Sequence, residues 1–131
     1  MIVLDASCAV EWLLGLPRAD DIAERIADPQ ESLHAPALLA VEVAQVIRRY
    51  VAAGDVTAER GGQALEDLAD LDASIYLHEP LLPRIWQLRD SVTAYDAAYL
   101  SLTEALGAIL LTTDRRMANA PGHDAQVEVI A

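Results

Sequence analysis

The sequence contains no lysine and no phenylalanine, and a single cysteine, Cys8. One cysteine rules out an internal disulfide and a cysteine zinc site, and it fits a reducing compartment. Cys8 itself reads as a small core residue rather than a nucleophile, because a reactive thiol needs an electropositive setting. His34, His78 and His123 are too far apart for zinc-ligand spacing. There is no basic segment followed by an apolar run at the N-terminus, since Asp5 and Glu11 interrupt it, so no signal peptide is expected. No apolar stretch approaches the ~18 residues of a membrane span. The nearest, Ala35 to Ile47, is broken by Glu42. A cytoplasmic protein with no membrane association is the expectation.

Positive charge is also scarce. Nine Arg stand against 21 acids, giving a formal net charge of −12. That balance argues against loose, charge-driven nucleic-acid binding, which uses Lys and Arg to neutralise phosphate. It leaves room for bound divalent cations that supply positive charge locally, and it suits a basic partner. What is abundant is aliphatic: hydrophobic residues make up 53% of the 131 residues and aromatics only 5%, so Ala, Leu, Val and Ile must build one core.

Short apolar runs alternate with helical segments. Ile2–Leu4, Ser32–Ala35, Ser74–Leu77, Ile109–Thr112 and Val127–Ile130 read as strands. Helices are expected over Val10–Leu14, from Pro17 to about Ala27, over Ala37–Ala53, from Thr57 to near Leu71, and over Leu82–Leu88. Thr93–Leu106 reads as a further helix, and Arg115–Asn119 as a helical turn. Continuous apolar strands indicate a mainly parallel sheet covered on both faces. The expectation is a single α/β domain, residues 1–131, built as a three-layer sandwich without linkers or repeats.

In such sheets, sites form beyond the C-terminal ends of the strands. Asp5 follows the first strand and Asp114 follows Ile109–Thr112. Asp96 sits in the first turn of the helix leading into that strand, so its end of the helix lies at the same edge. Glu42 interrupts an apolar helix, where a lone ionised side chain is out of place. Each acid also admits a structural reading. Asp5 and Asp114 would cap helices, Asp96 would complete a capping box with Thr93, and Glu42 would share a solvated stripe with Gln45 and Arg49. Four acids brought together repel, and hard divalent cations with oxygen ligands are the usual reason to assemble them.

The residues resemble a known family. Val3-Leu4-Asp5-Ala6-Ser7, Pro36 with Glu42 on a helix running to Arg48-Arg49, Tyr95-Asp96-Ala97-Ala98-Tyr99-Leu100 and Leu111-Thr112-Thr113-Asp114-Arg115-Arg116 resemble, in order, the four motifs of PIN-domain nucleases. The compact length is similar to VapC-like toxins of toxin–antitoxin pairs. The resemblance implies a PIN-like fold, Mg²⁺ or Mn²⁺ as cofactor, RNA phosphodiester hydrolysis, homodimers, and inhibition by a cognate antitoxin.

It further implies that Asp5, Glu42, Asp96 and Asp114 are the catalytic and metal-binding acids, with Ser7 and Thr112 supporting them. Arg115 and Arg116, next to Asp114, are candidates for RNA phosphate contacts or for surface charges that balance neighbouring acids, and Arg48 and Arg49 carry the same two readings. Met117 and Thr103 depart from the family's commoner residues. Trp12 and Trp86 read as core or interface anchors before base-stacking groups.

Rival readings fare worse. A haloacid-dehalogenase-type phosphatase needs a second Asp where Ser7 stands. A receiver-like domain needs a strand-end Lys, and a dinucleotide-binding domain needs G-x-G-x-x-G after the first strand. The remaining alternative is a non-catalytic acidic binding module, or a degenerate PIN domain acting through protein–protein contacts.

Overall fold

A computed structural model describes residues 1–131. Five strands form one sheet: β1 (Ile2–Leu4), β2 (Leu33–Pro36), β3 (Ala73–Tyr76), β4 (Ile109–Thr112) and β5 (Gln126–Val129). The order is β3-β2-β1-β4-β5, and every neighbouring pair is parallel. The register pairs Ile2 with Ile109 and Leu4 with Leu111, so β1 and β4 end side by side. The chain moves outward from β1 to β3 on one side, then crosses back to β4 and β5 on the other. The β1–β4 junction is therefore the switch point of the sheet, where a crevice opens beyond the strand ends.

The crossovers carry α1 (Ala6–Leu14), α2 (Ala19–Ile26), α3 (Leu38–Ala52), α4 (Ala58–Ala69), α5 (Leu82–Gln87), α6 (Ala94–Leu106) and the short α7 (Arg115–Asn119). A 3₁₀ turn, Glu79–Leu81, leads into α5. Helix α1 packs against α2, α3 and α4, whereas α6 packs against α5 and along β1, β2 and β4. Helices thus cover a parallel sheet on both faces, the expected three-layer α/β sandwich. Ile2, Val3, Leu4, Leu110 and Leu111 are fully buried in the two central strands, as continuous apolar runs require.

Strands β2 and β3 are each displaced by one residue from the sequence reading, and the larger differences lie at the helix starts. Helix α1 begins at Ala6, four residues before Val10, because Asp5 caps it and draws Ala6 to Ala9 into the helix. Helix α2 begins at Ala19 instead of Pro17. The Arg18 amide donates to Glu11 Oε2 at 3.2 Å, so a carboxylate from α1 occupies that N-terminus. Strand β5 is shifted one residue toward the N-terminus. Cys8 is buried in the core, and burial pushes its thiol far above the ordinary range, as an inert core cysteine requires. Trp86 is not a core residue: it is 67% exposed, whereas Trp12 packs partly buried against the core.

Candidate active site

Asp5 is the N-cap of α1, with extended backbone geometry at the end of β1. Only 5% of it is exposed. Its Oδ1 accepts from the Cys8 amide at 3.0 Å and from the Ser7 hydroxyl at 2.6 Å, and its Oδ2 accepts from the Thr112 hydroxyl. The same two hydroxyls accept backbone amides from the loop after β4: Thr113 to Ser7 Oγ and Asp114 to Thr112 Oγ1, both at 3.0 Å. Each hydroxyl spends its one proton on Asp5 and its lone pair on the loop, so Asp5 is fixed to both strands of the switch point. Burial raises the Asp5 carboxyl above the ordinary carboxylate range. Bonds from Ser7, Thr112 and Cys8 oppose the rise, and repulsion from Asp96 adds to it.

Asp96 stands in the first turn of α6, half-buried. The Thr93 hydroxyl accepts its amide at 3.2 Å, which completes the amide side of the predicted capping box. Burial raises its carboxyl first, and Asp114 raises it further. Arg116 and the Thr93 hydroxyl oppose the shift.

Glu42 does not lie on the solvated stripe with Gln45 and Arg49, which are exposed. Its Oε1 accepts a 2.6 Å hydrogen bond from the phenol of Tyr99. Its carboxyl is raised by burial, lowered by the Tyr99 bond, and raised again by Asp96 and Asp5. The aromatic partner escaped the sequence reading although it lies within the third motif. The signal was available: a Tyr one turn after Asp96 shares its helix face, and a buried phenol needs an acceptor.

Asp114 behaves differently. It caps α7, accepting from the Arg116 amide at 2.9 Å. The Arg116 guanidinium grips both its oxygens, Nε to Oδ1 at 3.1 Å and Nη2 to Oδ2 at 3.0 Å. That pairing holds its carboxyl below the ordinary range. Asp5, Glu42 and Asp96 thus share one field of repulsion, and Asp114 reaches it through Asp96. As the side chains stand, no three His, Cys, Asp or Glu groups are close enough to grip one ion.

The donor set nonetheless fits a hard divalent cation. It consists of carboxylate oxygens, partly or fully desolvated, whose shared charge no cationic side chain balances except Arg116 at the rim.

An open cleft of about 770 Å³ lies beside these acids, lined by Asp96, Thr93, Arg89, Arg116 and Asn119 among others. Of the predicted phosphate-binding pair, Arg116 lines the cleft, whereas Arg115 is exposed and lies outside its walls. Arg89 was not singled out from the sequence. Its guanidinium carbon sits 4.7 Å over the Trp86 ring, and its Nη1 donates to the Trp86 carbonyl at 3.0 Å. The two family departures are packing features. Buried Met117 places its sulfur 3.8 Å from the Thr112 hydroxyl, and buried Thr103 donates to the Tyr99 carbonyl at 2.7 Å.

Known proteins are similar to this chain over most of its length. Ribonuclease VapC12 of Mycobacterium tuberculosis is 38% identical over 131 residues, covering all of both chains. Ribonuclease VapC1 of the same organism is 38% identical over 129 residues, covering 98% of this chain and 96% of its own. The fold is similar to the VapBC2 structure from Rickettsia felis bound to a promoter DNA fragment, with a TM-score of 0.72 at 14% identity over the full length of both chains. It is also similar to Mycobacterium tuberculosis VapC20, a Sarcin-Ricin loop cleaving toxin, with a TM-score of 0.65 at 13% identity over 84% of this chain and 87% of that one. The PIN domain model matches residues 2–122, a span that holds all four acids and the whole β1–β4 junction. The chain belongs to the PIN-domain family.

Proposed function

We propose that this chain is a metal-dependent endoribonuclease, the toxin of a toxin–antitoxin pair, with Asp5, Glu42 and Asp96 as its metal-binding acids. The observation that carries the reading is the uncompensated acid group at the switch point, anchored by the Ser7–Asp5–Thr112 bonds. The names of its full-length relatives support RNA as the substrate.

Asp5 and Asp96 would hold Mg²⁺ or Mn²⁺ directly, with Glu42 as a further ligand. When bound, the ion supplies a water of lowered pKa and stabilises charge on the scissile phosphate. The chain's own residues do the rest. Ser7 and Thr112 keep both Asp5 oxygens oriented, as groups behind a metal ligand commonly do. Arg116 and Arg89 line the cleft and supply cationic contacts to RNA phosphates, positioning the backbone without reading sequence. Asp114, held by Arg116, acts from the rim on the potential at Asp96.

The cognate antitoxin is the expected protein partner, in line with the VapBC2 structural relative. A chain of net charge −12 suits a basic partner segment. Exposed apolar side chains at Val41, Ile75, Leu77 and Leu82 suit burial between copies of the chain, in keeping with a homodimer. No helix is long and apolar enough to cross a membrane.

The test is isothermal titration of the antitoxin-free protein with Mn²⁺, beside Asp5→Ala and Asp96→Ala, together with RNA cleavage with and without chelator. Binding and cleavage in the parent, both lost in the two variants, are the expected results. A parent that binds no Mn²⁺ would leave the acids as helix caps and favour a non-catalytic binding module.

A further inference from the structure

We propose that Tyr99 is a positioning residue of the metal site: its phenol tethers the Glu42 carboxylate inward, so that the remaining Glu42 oxygen is free to bind the divalent cation. The inference rests on the metal-site reading above and extends it to a residue outside the acid set.

Tyr99 is 2% exposed, and a phenol so deeply buried requires an acceptor. The acceptor comes from a helix 57 residues away, at 2.6 Å. The bond spans two helices whose backbones are not close neighbours, so the phenol bridges a gap to reach Glu42. Glu42 has a ready escape. Its neighbour Val41 is 73% exposed, so solvent lies close, and both Asp5 and Asp96 repel it. A flexible three-torsion side chain under that repulsion would turn outward unless something held it. The tyrosine is suited to the task, since its ring has two torsions and is packed in the core. The backbone that carries it is also bonded within α6, where the Thr103 hydroxyl donates to the Tyr99 carbonyl. Asp96 lies one turn earlier on the same helix. Helix α6 therefore delivers one metal-binding acid directly and fixes a second through the phenol. The charge-assisted bond also satisfies only one Glu42 oxygen, since no hydrogen bond is made to Oε2.

The experiment is a double-mutant cycle on Mn²⁺ affinity, measured by titration calorimetry, with Tyr99→Phe, Glu42→Ala and the double variant. Tyr99→Phe is expected to weaken Mn²⁺ binding about tenfold, in the range for groups behind metal ligands, and to cause no further loss in the Glu42→Ala background. RNA cleavage by Tyr99→Phe should fall at limiting Mn²⁺ and recover when Mn²⁺ is raised, a pattern that mere loosening of the fold would not give. Parent-like affinity in Tyr99→Phe, or the same tenfold loss without Glu42, would overturn the inference. If Tyr99→Phe fails to fold, Tyr99→His, which keeps a hydrogen-bond donor, is compared with Tyr99→Leu, which has none; Mn²⁺ affinity higher in Tyr99→His than in Tyr99→Leu supports the inference, and equal affinity overturns it. A parent without Mn²⁺ affinity would sink the metal-site reading itself and this inference with it, an outcome distinct from failure of the tyrosine variant alone.

Discussion

Acids in two regions of this molecule are treated in opposite ways. Away from the switch point, partly buried acids are matched to arginines. Glu104 accepts Arg84 Nε and Nη2 at 2.8 and 2.9 Å, Glu11 pairs with Arg18 at 2.9 Å, and Arg25 bridges Glu31 and Glu128. The Glu104 and Glu31 carboxyls are held below the ordinary range, by Arg84 and by the N-terminal ammonium respectively. At the switch point no guanidinium hydrogen-bonds to Asp5, Glu42 or Asp96; burial lifts all three, and repulsion from a nearby carboxylate adds to each. A chain with only nine cations places several on structural acids and leaves its most crowded acids unbalanced. Desolvated like charges are costly unless a counter-ion arrives from outside, so the contrast itself points to a cation.

Substitutions break the comparison most sharply at the switch point. Asp96→Asn should reduce RNA cleavage by at least about a hundredfold, the scale expected for loss of a directly engaged catalytic group, as read by initial rates. It should leave the metal-free melting temperature equal or higher, because it removes repulsion while the Thr93 cap uses the Asp96 backbone amide. Asp5→Ala should also abolish cleavage but lower metal-free stability by roughly 1–3 kcal/mol, since the Ser7 and Thr112 hydroxyls and the Cys8 amide lose their acceptor in a buried place. If Asp96→Asn instead melted much lower without metal, the acid would be a structural cap and the contrast between the regions would fail.

At the matched region the pattern reverses. Arg84→Ala should leave Mn²⁺ affinity and cleavage near the parent's while lowering stability by about 1 kcal/mol. The effect is small because the pair is partly exposed to solvent. Denaturant melts measure it.

The two regions also predict opposite pH slopes. The three raised acids carry their penalty in the metal-free protein above their raised folded values. It is relieved as pH falls through their raised folded values, and it is gone below the ordinary values of 3.8 and 4.5. Glu104, Glu31 and Asp114 have depressed folded values. Their stabilisation is present above 4.5, 4.5 and 3.8 and is lost as pH falls below them. Melts in chelator should therefore rise on mild acidification and then fall, and saturating Mn²⁺, which favours the ionised acids, should remove the rise. A monotonic fall in chelator would contradict the switch-point assignment.

Much of this was legible in the sequence because topology rests on strong local signals. Ile109–Thr112 opens with three apolar residues and is bounded by Gly107 and Asp114, and it is β4 without adjustment. Once β1 and β4 are neighbours, Asp5, Asp96 and Asp114 must share an edge, and they do. What sequence spacing did not reveal are side-chain choices made across long separations. Helical periodicity placed Glu42 with Gln45 and Arg49, but a phenol 57 residues away takes its carboxylate inward. Asp114 was read as a member of the acid set, and spacing alone did not show that a guanidinium two residues on competes for it. Arg89 became visible only because the segment before α6 lines the cleft.

The competition at Asp114 supplies the smallest and most diagnostic effect. Arg116 is almost fully exposed, with 91% of its side chain accessible, so its loss should leave the melting temperature unchanged. It nonetheless has two electrostatic duties of opposite sign. It cancels Asp114 beside Asp96, and it offers positive charge to the cleft. Arg116→Ala should therefore tighten Mn²⁺ binding a few-fold, by restoring negative potential at the acids. It should also weaken RNA binding and reduce the slope of log affinity against log salt by about one. Calorimetry and salt titrations of RNA binding by a cleavage-dead Asp96→Asn protein, with and without Arg116→Ala, separate the two. If both affinities moved the same way, Arg116 would not stand between the two regions, and Asp114 would belong with the neutralised structural acids.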